Sequence, residues 1–456
     1  MRLRKIYLQC ARSLGLLMTC CQLALSAPPG IAETADATKY DSEIPRKTSL
    51  VVPPEMMEGA LWKLGNEAVP FEGLFQFEVD TQWGTFPVYG EAMLRLRLRE
   101  LRAIAELHDI STMGAGLEGA GKSLKKSFER LGHAFIHPKQ TAHDIPIGTS
   151  RLFVKLGRYG KKIQKALGDS DKSGDREGDK DDKTDKTSNT SSSAEAAAVW
   201  VARKYGGVSS KTRKRARDVG VDPYTSNVLL ADQLERVSRA EAVGSVSTKL
   251  LMPVMAGAIG LMAGAANIAY IQNWREIFTY NAQVMRDMGV SEELIRDFEA
   301  HEFYTPMTQT LLIAMLDSIE DAQDRWIAIE QATLLENESE ALFFLESIML
   351  AEWYHREQAA IKAFVPNTLI PVATNEHNNL VAFTAADFFY WTKKTEAASR
   401  DFTATYASHP GGREFVIADY ISPNARRGVE ALGWSVRSGL RQTYDVEVPW
   451  GAQDHE

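Results

Sequence analysis

Phe75-Gln-Phe-Glu-Val-Asp80-Thr-Gln-Trp-Gly-Thr85-Phe-Pro-Val-Tyr89-Gly90 is the stretch on which the N-terminal fold turns. Apolar and polar residues alternate from Phe75 to Asp80, and Thr85–Tyr89 resumes the alternation after a turn at Trp83-Gly84, which predicts a β-hairpin. Gly90 then opens a helix. Met93, Leu94, Leu96, Leu98, Leu101, Ile104, Ala105 and Leu107 recur at helical spacing and give it a broad apolar face.

Upstream of the hairpin the chain begins like an export signal. Met1–Lys5 is basic, Leu14–Ala27 is an uncharged apolar run, and Gly30-Ile-Ala32 puts small residues at −3 and −1 of a cut before Glu33. The three cysteines, Cys10, Cys20 and Cys21, all fall within this leader. The mature chain is then free of thiols, as suits an oxidising compartment. Residues 1–32 hold four basic residues and no acid, so the formal charge of −8 becomes −12 without them. An acidic total argues against nucleic acid as the main partner. Apolar content of 44% permits a sizeable core.

Downstream, residues 33–60 read as a loose, polar leader to the body. Two basic amphipathic segments follow the first helix. Leu124, Phe128, Leu131 and Phe135 stripe the first, and Phe153, Leu156, Ile163 and Leu167 the second. Residues 169–196 are dominated by Asp, Lys, Ser, Thr, Gly and Ala and read as a disordered linker. A basic run, Lys211–Arg217, precedes a turn at Asp222-Pro-Tyr224 and a helix over Val228–Val243. Thr305-Pro306 starts another helix with a capping residue and Pro at its first position. Leu312, Met315, Ile319, Trp326 and Ile329 form its stripe, and a partner helix over Ala341–Phe364 completes a helical hairpin. From Pro366 the period changes to that of strands, at Leu369–Ala373, Leu380–Thr384, Phe415–Ala418 and Trp434–Arg437. A short helix capped by Ser422-Pro423 lies among them.

The expected fold is therefore mainly α with α+β parts: an N-terminal β-hairpin plus helices, a central helical domain and a small C-terminal α/β unit. The boundaries are 1–32 for the signal, 33–168, the linker 169–196, 197–365 and 366–456.

Leu250–Ile271 is 22 residues without a charge, nine of them Ala or Gly. Its length suits a bilayer, but small residues transfer weakly. A buried helix or hairpin is the leading reading, ahead of a membrane span and an interfacial segment. Ala256, Gly260 and Gly264 offer a small-xxx-small stripe for close helix approach.

Four motifs resemble chemical sites. Gly116-Leu-Glu-Gly-Ala-Gly-Lys-Ser123 fits the phosphate-loop pattern, but a helix precedes it where that loop needs a strand, so it reads as a Gly-rich hinge. Asp169-Ser-Asp-Lys-Ser-Gly174 opens like a calcium loop, yet its twelfth position is Lys180 in place of the required Glu. Glu352-Trp-Tyr-His355 has the Glu-x-x-His spacing of helical metal–carboxylate sites, with no second pair to complete one. Glu352 and His355 are instead expected to satisfy each other in the core, and they are the first residues to test for catalysis. No Gly-x-Ser-x-Gly elbow occurs. No nucleotide, cofactor or metal is expected.

The chain resembles a family of exported bacterial proteins of unknown function. Gly84-Thr-Phe-Pro-Val-Tyr-Gly90, His137-Pro138, Asp222-Pro-Tyr-Thr225, Trp353-Tyr-His355 and Ser422-Pro-Asn-Ala-Arg426 carry the resemblance. It implies export and assigns no activity. The functional expectation is an exported, membrane-associated envelope protein, periplasmic or at the envelope membrane, acting through interactions with lipid or another envelope protein. The alternatives are an extracytoplasmic enzyme such as a hydrolase, and a secreted effector that inserts into membranes.

Overall fold

A computed structural model describes residues 39–82, 84–114, 199–242, 260–366 and 368–441. The export signal, the Gly116–Ser123 motif, both basic amphipathic segments, the calcium-loop look-alike and the linker lie outside them. The fold is mainly α with α+β parts. It has an N-terminal sheet, a central set of helices and a C-terminal α/β region.

The N-terminal sheet holds β1 (Arg46–Lys47), β2 (Trp62–Leu64), β3 (Glu67–Phe71), β4 (Leu74–Thr81) and β5 (Gly84–Tyr89). The hairpin expected from the alternation is β4–β5, with Phe77 facing Val88 and Asp80 facing Thr85. Sequence reading missed β1–β3. The other edge of β4 is shared, with β3 pairing its first residues and β2 its last. Glu72 and Gly73, at φ 51° and 91°, make the β3–β4 turn. Residues 40–60 are no loose leader. Thr48 is fully buried, and its N–H and hydroxyl donate to the carbonyls of Asn66 and Gly65.

Helix α1 (Glu91–Gly114) leaves the sheet at Gly90, whose φ of 88° favours glycine. It buries Leu94, Leu98, Leu101, Ile104 and Leu107, the anticipated face. After α2 (Ser210–Asp218) and α3 (Val228–Ala242) come α4 (Gly260–Ile271), α5 (Trp274–Asp287), α6 (Glu292–Glu299), α7 (Pro306–Ser318), α8 (Trp326–Thr333) and α9 (Glu338–Glu357). Helix α7 is capped by Thr305 in a capping box with Pro306 at N1, and it packs on α4, α5 and α9. Its stripe does not continue to Ile329. The chain breaks after Ser318 because Asp321 and Asp324 take φ of 60° and 58°, conformations that short polar side chains tolerate and a helix does not.

Helix α9 is the spine. Every residue from Glu340 to Tyr354 is buried, and it touches α1, α7 and the C-terminal sheet. It stops at Glu357, so Ile361–Phe364 is strand β6 and not the end of the expected helix. The sheet order is β12-β10-β8-β7-β6. β7 (Val372–Asn375) runs antiparallel to β8 (Leu380–Thr384), and β6 runs antiparallel to β7. β10 (Arg413–Ile417) and β12 (Ser435–Arg437) continue parallel to β8, linked by α10 (Lys393–Thr405) and α11 (Pro423–Ala431). β9 (Phe388–Phe389) and β11 (Tyr420–Ile421) form a separate parallel pair.

The described residues from Tyr40 onward belong to one compact unit, with contacts across the boundaries drawn at 168, 196 and 365. Phe75 of β4 packs against Phe388 of β9 with tilted rings 4.7 Å apart, and Arg97 of α1 pairs with Glu338 of α9.

Among the described residues, no helix is long and apolar enough to cross a membrane. The described part of Leu250–Ile271 is α4, only 12 residues long. It buries Ala265, Ala266 and Ala269, while Gly264 faces open space. Among the described residues, close approach uses the alanine face.

Candidate functional site

The three parallel strands end at Thr384, Ile417 and Arg437. Asp387, Asp419 and Arg441 follow, each within four residues of its strand's end. In open α/β sheets the carboxyl ends of the strands are where ligand sites gather. Here the three meet Glu91, from the first turn of α1, and Glu346, from the middle of α9. Arg441 lies at the centre: 3.1 Å from Asp387, 3.3 Å from Asp419, 3.6 Å from Glu91 and 3.7 Å from Glu346. Arg95 pairs with the other oxygen of Glu91. Asp419 is partly exposed, and the other three carboxylates and Arg441 are buried.

Asp387 organises this cluster. Gly90 has no side chain to cap α1, and Asp387 takes the role from the far end of the chain by accepting the Glu91 N–H at 3.1 Å. It also accepts the Phe75 N–H at 3.0 Å, and its own N–H donates to the Gly73 carbonyl at 3.1 Å. Burial pushes the Asp387 carboxyl up to about 7. The guanidinium of Arg441 opposes that rise and the charge of Glu91 adds to it. Burial likewise raises Glu346 and Asp419, again against Arg441. Four acids share two arginines, and burial raises three of the four, Asp387, Glu346 and Asp419.

A second polar nest lies further along the α1–α9 interface. Arg97 donates to Glu100 at 2.8 Å and also to Glu338. Glu100 accepts from Thr225 at 2.7 Å and from Asn227 at 2.9 Å, and Ser226 donates to Glu338 at 2.6 Å. Asp222 accepts the Tyr224 N–H at 2.7 Å and the hydroxyl of Thr305, the cap of α7. Burial lifts Asp222 up to about 7 in spite of those two bonds. A cavity of about 30 Å³ borders this nest, and one of about 10 Å³ borders Glu346 and Asp387, with Leu342 between them. Each has room for about one or two waters. Small-molecule pockets run to hundreds of Å³.

Glu352 and His355 sit near the end of α9 but do not bond each other. Glu352 is buried and accepts from the Arg356 guanidinium at 2.8 and 3.0 Å. His355 Nδ1 accepts the Ile361 N–H at 3.0 Å, which fixes the entry into β6. Burial raises Glu352 and lowers His355. Each is satisfied locally, though not by the Glu–His pair that the spacing suggested. Among the described residues, no group of three or more His, Cys, Asp or Glu side chains is placed to hold a metal ion. The basic run Lys211–Arg217 forms α2 and is partly internal. Arg213 and Arg215 are buried, and Arg213 donates to the carbonyls of Val208 and Ile271.

Sequence reading missed the strand-end cluster. One signal was available: Glu346, Asp387 and Asp419 each interrupt a strongly apolar run, where a charged side chain needs a partner.

No family model matches the chain, and no curated protein or solved structure is significantly similar to it.

Proposed function

We propose that the chain is an exported protein of a bacterial envelope, working outside the cytoplasm through interactions with other envelope components. The observation that carries this reading is the leader, Met1–Ala32, with its basic start, apolar run and small residues before Glu33. The resemblance to exported bacterial proteins and the thiol-free remainder agree with it. The small volumes beside both carboxylate nests favour interaction over chemistry. Membrane association, in this proposal, comes from the basic amphipathic stripes at 124–135 and 153–167 lying on anionic lipid. N-terminal sequencing of the native protein should begin at Glu33. Cell fractionation should find it outside the cytoplasm, released from membranes by salt. A chain that begins at Met1 among cytosolic proteins would overturn the reading.

A second reading, an extracytoplasmic hydrolase, is favoured by one observation: Asp387 and Asp419 stand at strand ends, with Asp387 held near neutral pH as a general acid or base requires. Hydrolase substrates should then turn over with wild-type protein and not with Asp387→Asn.

A further inference from the structure

Residues 40–47 cross the C-terminal α/β region as a strap. The Tyr40 hydroxyl donates to Glu396 at 2.8 Å. The Asp41 N–H donates to the Trp391 carbonyl at 2.7 Å, and the Trp391 N–H returns to the Asp41 carboxylate at 2.6 Å. That carboxylate also accepts from Asn424 at 2.8 Å and from the hydroxyl of Ser422. Ser422 in turn accepts the Ala425 N–H as the cap of α11. Further along, Arg46 donates to the Tyr390 hydroxyl at 2.9 Å and lies over the Tyr420 ring.

Every residue from Ser42 to Lys47 is exposed, and Ile44 is 65% exposed. Polar groups hold the strap, and the apolar contribution within it comes from Tyr40, which is half-buried against the core. Its seat is different: Trp391, Ser422 and Ala425 belong to the interior. At Thr48 the chain enters the core, which gives the strap a fixed end. Hydrogen bonds that water can replace contribute little net stability, whereas the seat is held by packing.

We propose that Tyr40–Lys47 is a separable strap, hinged at Thr48, that opens and closes while the rest of the fold stays intact. Opening bares the Tyr390–Tyr420 aromatic face and the start of α11. Asp41 is the latch, because three donors from two different elements converge on its carboxylate.

Trypsin reads the opening directly, because Arg46 and Lys47 are paired in β1 when the strap is closed. While opening is fast relative to cleavage, nicking follows the open population. With full-length protein, cleavage after Arg46 and Lys47 is followed by mass spectrometry across sub-denaturing urea, alongside global unfolding. The expected result is nicking whose urea dependence is far shallower than that of global unfolding. Asp41→Asn should accelerate it about tenfold, as loss of charge-assisted bonds implies, with the unfolding midpoint unchanged. Nicking that tracks global unfolding in wild type would overturn the proposal, whatever the variant does. So would an Asp41→Asn protein that loses global stability in proportion to its faster nicking, or that fails to fold.

Discussion

Asp387 accepts the backbone N–H of Phe75 at 3.0 Å across 312 residues of sequence. One carboxylate thus joins the first sheet, the start of α1 and the end of β8, and Arg441 supplies its nearest positive charge. Arg441→Met should expose what that charge is worth. Removing one partner of a buried ionic group typically costs about 3–5 kcal/mol, because the remaining charges are left uncompensated. Chemical denaturation should show such a loss at pH 8 and a smaller one at pH 5, where Asp387, raised to about 7, binds a proton. An equal loss at both pH values would mean that Arg441 acts through packing alone.

The pH dependence of the native protein follows from the same groups. Asp222, Asp387 and Glu299 are raised to about 7 by burial, well above ordinary carboxyl values. The folded state therefore binds more protons than the unfolded state between about pH 4 and 7, and stability declines as pH rises through that window. His301 opposes this. Burial lowers it to about 4, so its contribution is lost as pH falls below about 6.5. Three carboxyls outweigh one imidazole. The melting temperature should be higher at pH 5.5 than at pH 8, and a rise toward pH 8 would contradict the assignment.

Asp222→Asn separates charge from shape. Asparagine retains an acceptor for the Tyr224 N–H without an ionisable group. The variant should flatten the pH profile and gain stability relative to wild type above pH 7. Thr305→Val should instead cost about 1–2 kcal/mol at every pH, since it removes both the α7 cap and the donor to Asp222. Thermal melts of the two variants across pH check the contrast.

Ala266 tests the apolar segment. It is fully buried in α4, and a larger side chain there overpacks the interior. Ala266→Leu should lower stability by about 1–3 kcal/mol and leave membrane retention unchanged. In a lipid-spanning helix the same change would strengthen retention, so a fractionation experiment decides between the two.

Much of the architecture was legible because local patterns agree with it. The alternation at Phe75–Asp80, the Thr305-Pro306 cap, the strand Leu380–Thr384 and the Ser422-Pro423 cap all appear where the residues placed them. Strands β1–β3 were not legible, because they are two to five residues long and owe their existence to pairing, β2 and β3 with β4 and β1 with β3. The break at Asp321 and Asp324 was hidden by an apolar stripe that resumes on its far side. The strand-end cluster was hidden for a different reason. Glu91, Glu346, Asp387, Asp419 and Arg441 become neighbours only once the sheet order is known, and no local spacing encodes that. Glu352 and His355 looked like a pair because helical spacing sets them one turn apart, yet closer partners, Arg356 and the Ile361 amide, satisfy each.

The dependence of the first sheet on Asp387 and Phe388 bears on how the polypeptide matures. Made from its N-terminus, the chain completes the first sheet before the residues it docks on exist. That docking surface is synthesised some three hundred positions later, and contacts of such separation form late. Until then the strand edges of the first sheet lack that partner, and exposed edges of this kind are prone to aggregate.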